Sequence, residues 1–198
     1  MLEILNHEQG SEDWLAARCG VVTASCFSQV LAKGAGKTRR SYMLRLAGER
    51  ITGTPAETYT NDHMERGKAH EAIAREAYVE QLGVEIVECG FMRDGNIGYS
   101  PDGIIGDLGL IEIKSKLAHL QAEILLADEV PSEHVAQIQG GMLVSGRQYL
   151  DFISYCPGMP LFIKHVERDE KFIGQLKEEL ERFETELCEV VTKLKEKF

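Results

Sequence analysis

Residues 100–114, which read SPDGIIGDLGLIEIK, contain the pattern that decides the fold. The last five of these residues alternate as a strand does, and a strand's period of two puts Glu112 and Lys114 on one face. Pro101 cannot donate a hydrogen bond to a strand ladder, so we expect the preceding strand to end or kink there. A glycine-containing turn separates the two strands, and adjacent strands of such a meander bring Asp102 beside Glu112.

This segment predicts a metal site. Two carboxylates and a backbone carbonyl that converge on one point form the oxygen-rich environment that Mg²⁺ prefers, and a neighbouring lysine can orient and acidify an attacking water. The alternative is a surface salt bridge between Glu112 and Lys114 beside a turn, because an ExK pair alone is common. The presence of Pro101-Asp102 ten residues before ExK favours the metal site.

A long helix predicted from residue 61 to residue 83 adds a third carboxylate. Glu71 lies at the centre of its apolar stripe, where an ionised side chain is expensive to bury without a charged or metal partner. The alternative is that Glu71 pairs with Arg75 or Lys68 at the edge of the stripe. The stripe consists of Met64, Gly67, Ala74, Tyr78 and Leu82.

A second helix, with Ser132 as N-cap and its end near Val144, carries Gln137 and Gly141 on one face. The glycine allows the helix to approach a sheet closely. Gln137 is then placed to hydrogen-bond a metal-bound water, and the alternative is that it caps a strand edge.

The remaining patterns complete an α/β fold with a mixed central sheet flanked by helices. The chain shows no internal repeat or linker, so we expect residues 1–198 to form one domain. The amphipathic C-terminal helix is expected to pack on the core, or else on a partner helix. The other predicted helices span residues 11–18, 23–33, 38–51 and 169–198, and the predicted strands span 85–92, 97–105, 110–114, 149–155 and 162–167.

Composition limits the size class of the protein and the cellular compartment expected for it. With 198 residues and 43% hydrophobic side chains, the chain is long enough for one well-cored domain. No apolar run approaches the length of a membrane span, and the N-terminus does not resemble a secretion signal. Five cysteines without a CxxC pair suggest neither a disulfide framework nor a zinc site. A soluble, cytoplasmic protein is expected.

The net charge of −10 counts against nucleic acid as a partner, because affinity for DNA comes largely from Lys and Arg neutralising phosphates. The charge is uneven. Residues 31–50 hold six basic residues against one acidic residue, a local charge of +5 that leaves −15 for the rest. This run indicates either a basic patch on an acidic body or a solvated basic helix end.

The order and spacing of several motifs resemble the phage lambda exonuclease, or YqaJ-like alkaline exonuclease, family of the PD-(D/E)xK nuclease superfamily, which has a restriction-endonuclease-like core. The resemblance covers nearly the whole chain. Its motifs are Trp14–Arg18, Gly20–Ser25, Arg66-Gly67-Lys68 leading to Glu71, Ser100–Gly103, Glu112–Lys114, Ala136–Gln139 and Glu167–Glu170.

The resemblance implies specific roles in catalysis. Asp102, Glu112 and the Ile113 backbone carbonyl would bind magnesium, with two ions in each active site and Mn²⁺ able to substitute. Lys114 would position the nucleophilic water. The residues that would hold metal-bound waters are Glu71 and Gln137.

The resemblance also implies how DNA is bound. Arg18, Ser25 and Ser100 would bind a terminal 5′-phosphate, which suits the bidentate fork of arginine and the place of Ser25 in the first turn of a helix. A structural pairing of Arg18 with Glu12 or Asp13 is the alternative. The wedge that splits the end base pair falls on Met64. The residues expected to grip the downstream duplex are Lys33, Lys37, Arg39 and Arg40.

The implied activity is 5′-to-3′ digestion of one strand of linear double-stranded DNA, with release of 5′-mononucleotides and a 3′ single strand left for recombination by annealing. The family implies a ring-shaped homotrimer, a single-strand annealing protein as partner, and a phage or prophage origin in a bacterial host. Two rivals stay open. They are an endonuclease or junction resolvase on the same core, and a DNA-end-binding protein without turnover.

Overall fold

The computed structural model describes residues 1–32, 37–56 and 62–197, with the side chains of residues 62–66 and 68 left out. The strands are β1 Leu2–Leu5, β2 Val22–Thr23, β3 Phe91–Asp94, β4 Ile97–Tyr99, β5 Gly103–Ile105, β6 Gly109–Ser115, β7 Tyr149–Tyr155 and β8 Phe162–Glu167. The helices are α1 Glu12–Arg18, α2 Phe27–Val30, α3 Lys37–Thr52, α4 Asp62–Leu82, α5 Ala118–Ala127, α6 Ser132–Ser145 and α7 Glu170–Lys195. A 3-10 turn, Ala24–Cys26, precedes α2.

The strands form two mixed sheets, with strand orders β1-β3-β4-β2 and β5-β6-β7-β8. In the second sheet β6 and β7 run parallel, whereas β5 and β8 pair antiparallel at its edges. The α/β class with mixed sheets and flanking helices is confirmed. The strand predicted over 97–105 is instead two strands in different sheets, because the chain crosses between the sheets at Ser100-Pro101-Asp102, where proline has no N–H to donate.

Helices cover both faces of the second sheet. Ile111 and Ile113 of β6 pack against α4 in a cluster with Ala74 and Tyr78. The opposite face, which carries Leu110, packs in the main core with residues of α6. Glu112 and Lys114 project from this second face because side chains alternate along a strand.

Glycine in α6 permits a close approach, as predicted. A Cβ atom on Gly141 would lie 2.8 Å from ring atoms of Tyr99. A Cβ atom on Gly140 would lie 2.2 Å from the ring of Phe27. Both distances are shorter than real contacts, so the helix can occupy this position only with small residues there.

The C-terminal helix α7 packs on the core rather than standing apart. Asp169 caps it by accepting hydrogen bonds from the backbone N–H groups of Lys171 and Phe172. Its buried side chains include Leu176 and Phe183, and it packs along α3. Ion pairs between α3 and α7 reinforce this contact at the surface, namely Arg50 with Glu184 and Arg39 with Glu186.

Several local predictions were wrong. The predicted helix 23–33 is a 3-10 turn followed by the four-residue α2, and Thr23 makes no capping bond. Ser132 is the first residue of α6 rather than its N-cap, because Pro131 occupies the cap position. The predicted strand 85–92 begins only at Phe91, since Val87 forms an isolated bridge with Ile104. The sequence analysis did not predict β1, β2 or α5.

Among the described residues, no helix combines the length and the apolar character needed to cross a membrane. All five cysteines, which lie within the described residues, are free.

Candidate active site

Asp102 lies where β5 stops pairing with β6. Its backbone N–H donates to the Ile111 carbonyl at 3.2 Å, and its Oδ2 accepts from the Ile113 backbone N–H at 2.6 Å. The carboxylate thus takes the place of a strand partner. Because the N–H and C=O of one strand residue point to the same side, the Ile113 carbonyl faces the same open edge as Asp102. The structure therefore brings these two predicted metal ligands together.

Glu112 is the buried centre of a hydrogen-bond network, with 2% of its surface exposed. Its Oε1 accepts from Lys114 Nζ at 2.7 Å and from Gln137 Nε2 at 2.5 Å. Its Oε2 accepts from the Tyr99 hydroxyl at 2.7 Å. Gln137 contacts Glu112 directly, and its predicted role in holding a metal-bound water stays a prediction. The sequence analysis missed Tyr99, although its place next to Ser100 was an available signal.

The electrostatics of this cluster favour a bound cation. Burial, followed by the nearby charges of Glu112 and Glu71, raises the pKa of Asp102 well above its ordinary value. Burial alone would lower the pKa of Lys114, but Glu112 and Asp102 together raise it. Carboxylates crowded in a buried position repel one another, and a divalent cation relieves this repulsion.

Glu71 forms the ion pair that was predicted as its alternative, and its metal-linked role stays a prediction. Its Oε1 accepts from Arg75 Nη2 at 2.6 Å, which is the predicted helix-edge ion pair. Burial, opposed by Arg75 and reinforced by Glu112, also raises the pKa of Glu71, so it belongs to the same charge cluster. Arg75 Nε donates to the Asp102 carbonyl at 3.1 Å and thereby ties α4 to the strand crossing.

The donor set suits magnesium or manganese. In the parts of the chain that the structure describes, no three His, Cys, Asp or Glu side chains form a metal-binding group. The donors that the sequence predicts, Asp102, Glu112 and the Ile113 carbonyl, are all oxygen atoms. Hard divalent cations accept such sets and complete them with water, whereas structural zinc sites use sulfur and nitrogen ligands.

A second polar group lies two residues from Asp102. Arg18 Nη1 and Trp14 Nε1 each donate to Ser100 Oγ at 3.0 Å. The Arg18 guanidinium stacks over the Trp14 ring at 4.1 Å, and burial lowers the pKa of Arg18. Arg18 bonds to Ser100 rather than to the acidic residues of α1. The sequence analysis did not assign a role to Trp14.

Ser25 and the basic residues are placed differently. The exposed Ser25 hydroxyl lies 3.4 Å from Thr23 Oγ, and within the described ranges it makes no bond to Arg18 or Ser100. Arg39 forms a bidentate pair with Glu186. Lys37 and Arg40 are exposed on α3. Lys33 and the side chain of Met64 lie outside the described parts of the chain.

A cavity of about 660 Å³ opens beside the carboxylates. Glu71, Arg75 and Asp102 form one wall, and the N-terminal segment that includes His7 and Gln9 forms another. Gln9 Nε2 donates to the Pro101 carbonyl at 3.1 Å and fixes this segment against the strand crossing. Asp102 and Glu71 of the carboxylate cluster therefore line a cavity that opens to solvent.

Two carboxylates, a main-chain carbonyl and a lysine at the open edge of a helix-flanked mixed sheet define the PD-(D/E)xK class of nuclease-type sites. The chain belongs to the YqaJ-like viral recombinase domain family, whose model matches residues 13–148. The matched range contains Arg18, Asp102, Lys114 and Gln137. No protein among curated sequences matches this chain.

Two solved structures agree with this membership, and a third shares the fold. An alkaline exonuclease (LHK-Exo) from Laribacter hongkongensis is 36% identical over 94% of this chain and 97% of that chain, with a TM-score of 0.87. A structure of LHK-Exo in complex with dAMP has the same identity and coverage and a TM-score of 0.88. A phage related exonuclease from Haemophilus somnus 129PT has the same fold at 14% identity, with a TM-score of 0.67 and coverage of 88% and 96%.

Proposed function

We propose that this protein is a magnesium-dependent exonuclease that digests one strand of linear double-stranded DNA from a 5′-phosphorylated end. It would release mononucleotides and leave a 3′ single strand. The observation that carries the proposal is the proximity of the Arg18–Ser100 pair to Asp102. A guanidinium and a hydroxyl suited to a phosphate are thus linked by two residues of chain to a group suited to phosphodiester hydrolysis.

The relatives support the release of mononucleotides. LHK-Exo is described as an alkaline exonuclease, and one of its structures contains dAMP. Deoxynucleoside 5′-monophosphates are the products expected if cleavage removes one nucleotide at a time from a 5′ end.

The side chains divide the chemical work. Asp102, Glu112 and the Ile113 carbonyl would hold Mg²⁺ or Mn²⁺, which when bound supplies Lewis-acid stabilisation of the charge on the reacting phosphate. Lys114 would orient the attacking water. Gln137 and Tyr99 fix both carboxylate oxygens of Glu112, and Glu71 extends the acidic cluster towards the cavity.

The biological setting belongs to the same proposal. The resemblance implies a trimeric ring that acts with a single-strand annealing protein in the cytoplasm of a bacterial host. A ring would keep a chain with a net charge of −10 on its polyanionic substrate without a strongly basic surface.

The test uses end-labelled linear duplexes with and without a 5′-phosphate, together with closed circular DNA. In Mg²⁺, the wild-type protein should release labelled mononucleotides from the phosphorylated duplex, and chelation by EDTA should stop this release. Arg18→Gln should remove most of the preference for the phosphorylated end. Lys177→Gln, on the exposed side of α7, is the matched control and should leave the preference unchanged.

Other results would replace this proposal. Cleavage of the closed circle would indicate an endonuclease or resolvase. Binding to duplex ends in Mg²⁺ without release of nucleotides would indicate an end-binding protein.

A further inference from the structure

Lys116 extends the row of functional side chains along β6 beyond the residues discussed so far. It follows Glu112 and Lys114 at the strand period, and its backbone N–H continues the pairing with β7 by donating to the Tyr155 carbonyl at 2.9 Å. Residues two apart on a strand are separated by about 6.6 Å. Only 14% of the Lys116 side chain is exposed.

The partner of this lysine is a histidine on α6. Lys116 Nζ lies 2.9 Å from His134 Nε2, and His134 precedes Gln137 by one helical turn. The His134 ring stacks on Phe152 with 5.4 Å between centroids. Burial, followed by the charges of Lys116 and Lys114, lowers the pKa of His134 to about 4. At neutral pH the imidazole is therefore uncharged and accepts a hydrogen bond from the ammonium.

A neutral partner leaves the charge of Lys116 uncompensated. The carboxylate of Glu133 lies 3.5 Å away, but 63% of that side chain is exposed to solvent, which weakens the attraction. Lys114, in contrast, has the buried Glu112 carboxylate at 2.7 Å. A cation held in a mostly buried position by an uncharged acceptor is available to an incoming anion.

We propose that Lys116 binds the phosphate that follows the scissile phosphate on the digested strand, and that His134 is the positioning residue that holds it there. This inference rests on the proposed function. When one nucleotide is removed from a 5′ end, the scissile phosphate has two neighbours. The terminal 5′-phosphate is assigned to Arg18 and Ser100, which leaves the phosphate on the 3′ side for Lys116.

The experiment combines protein variants with a modified substrate. A methylphosphonate, which is uncharged, replaces the phosphate after the scissile one, and in a control duplex it replaces a phosphate ten nucleotides downstream. With wild-type protein, the first substitution should lower kcat/KM about tenfold, the usual effect of losing one charged hydrogen bond, mainly through KM. Lys116→Gln should cause a similar loss on natural DNA and lose almost nothing more on the first modified duplex.

Binding measurements separate a phosphate contact from a structural role. Lys116→Gln should reduce the slope of log affinity against log salt by about 0.7 to 0.9, as expected for one lost phosphate contact. His134→Phe keeps the stacking on Phe152 but removes the acceptor, and should reduce the slope in the same way. His134→Gln restores an acceptor and should recover most of the lost salt slope. Lys177→Gln is the surface control.

Two results would overturn the inference. One is full additivity of Lys116→Gln with the adjacent methylphosphonate, and the other is an unchanged salt slope in a folded Lys116→Gln protein. If Lys116→Gln fails to fold, the wild-type methylphosphonate comparison still tests the contact with this phosphate, and the salt slopes of His134→Phe and His134→Gln test its assignment to Lys116. If the wild type releases no nucleotides, the proposed function fails, and the salt slope on linear duplex still tests Lys116 as a phosphate contact.

Discussion

The second sheet buries two carboxylates on neighbouring strands and surrounds them very differently. Glu112 of β6 and Asp151 of β7 are 2% and 7% exposed, and each accepts a hydrogen bond from a buried tyrosine, Tyr99 or Tyr78. They project from opposite faces of the sheet, because Asp151 pairs in register with the residue before Glu112. The second carboxylate oxygen of Asp151, Oδ1, lies 2.7 Å from His165 Nδ1 and is hydrogen-bonded to it.

Asp151 and Glu112 differ in their neighbouring side chains rather than in how deeply they are buried. Asp151 has hydrogen-bond partners for both oxygens and serves as an anchor between α4 and the sheet. Glu112 shares its surroundings with Asp102, Glu71 and a lysine, so repulsion remains after all hydrogen bonds are made. A buried carboxylate alone indicates architecture, whereas several that converge on an open strand edge indicate a cation-dependent reaction.

The largest expected effect comes from neutralising each carboxylate in turn. Glu112→Gln should lower the rate of nucleotide release by a factor on the order of a thousand or more, because a charged metal ligand is lost. Asp151→Asn should leave that rate within about threefold and lower the free energy of unfolding by roughly 1–3 kcal/mol. Initial rates and urea unfolding measure the two effects. Loss of activity in a folded Asp151→Asn protein would contradict the distinction.

Lysine provides the next comparison. Lys114→Met should lower kcat by about a hundredfold to ten thousandfold, as for other groups that manage a proton or a nucleophilic water. Lys164→Met is the control, since Lys164 on β8 forms a surface ion pair with Asp128. The control should be within twofold of wild type in single-turnover assays. Comparable losses in both variants would point to a general charge effect instead.

Magnesium should distinguish Asp102 from Asp151 by its effect on stability. At a Mg²⁺ concentration about 100 times Kd, the wild type and Asp151→Asn should each gain about 2.7 kcal/mol of stability by mass action. Asp102→Asn should gain almost nothing. In EDTA, Asp102→Asn should be more stable than the wild type, because the crowded charge is gone. Thermal unfolding with and without Mg²⁺ tests this, and equal stabilisation of all three proteins would place the metal elsewhere.

The tyrosines should show the smallest effects. Tyr78→Phe and Tyr99→Phe each remove one hydrogen bond to a carboxylate and should lower stability by about 1.5–3 kcal/mol. Only Tyr99→Phe should also slow nucleotide release, by about tenfold, because it frees Glu112 to rotate. Equal rates for the two variants would show that Gln137 and Lys114 are sufficient to hold Glu112.

Local pattern was enough for much of the fold. The bounds predicted for β7 and β8 match the structure to the residue. The predicted amphipathic C-terminal helix is confirmed as α7, which buries Leu176, Leu180 and Leu187. The functional residues of the ExK strand were also predictable, because alternation alone places Glu112 beside Lys114. These features depend on contacts within one element, which a single sequence contains.

What escaped prediction depends on contacts between distant elements. Tyr99 reaches Glu112 from the other sheet, and His134 reaches Lys116 from α6, so neither pairing has a local signal. An end or kink at Pro101 was predicted, but the change of sheet was not, since it depends on which strands are free to pair. Leu117, the N-cap residue of α5, makes no side-chain capping bond. No capping residue therefore marked the start of this helix in the sequence.

The crossing between the sheets has a consequence for the length of the product. Ser100 and Asp102 are separated by a single proline, so covalent geometry holds their Cα atoms within about 7 Å. Under the proposed function, Ser100 helps to hold the terminal phosphate and Asp102 acts at the next one. The backbone between Ser100 and Asp102 then fixes the distance from the terminal phosphate to the cleaved one, which is one nucleotide. A residue inserted at this crossing would alter the size of the fragment released as well as the rate of its release.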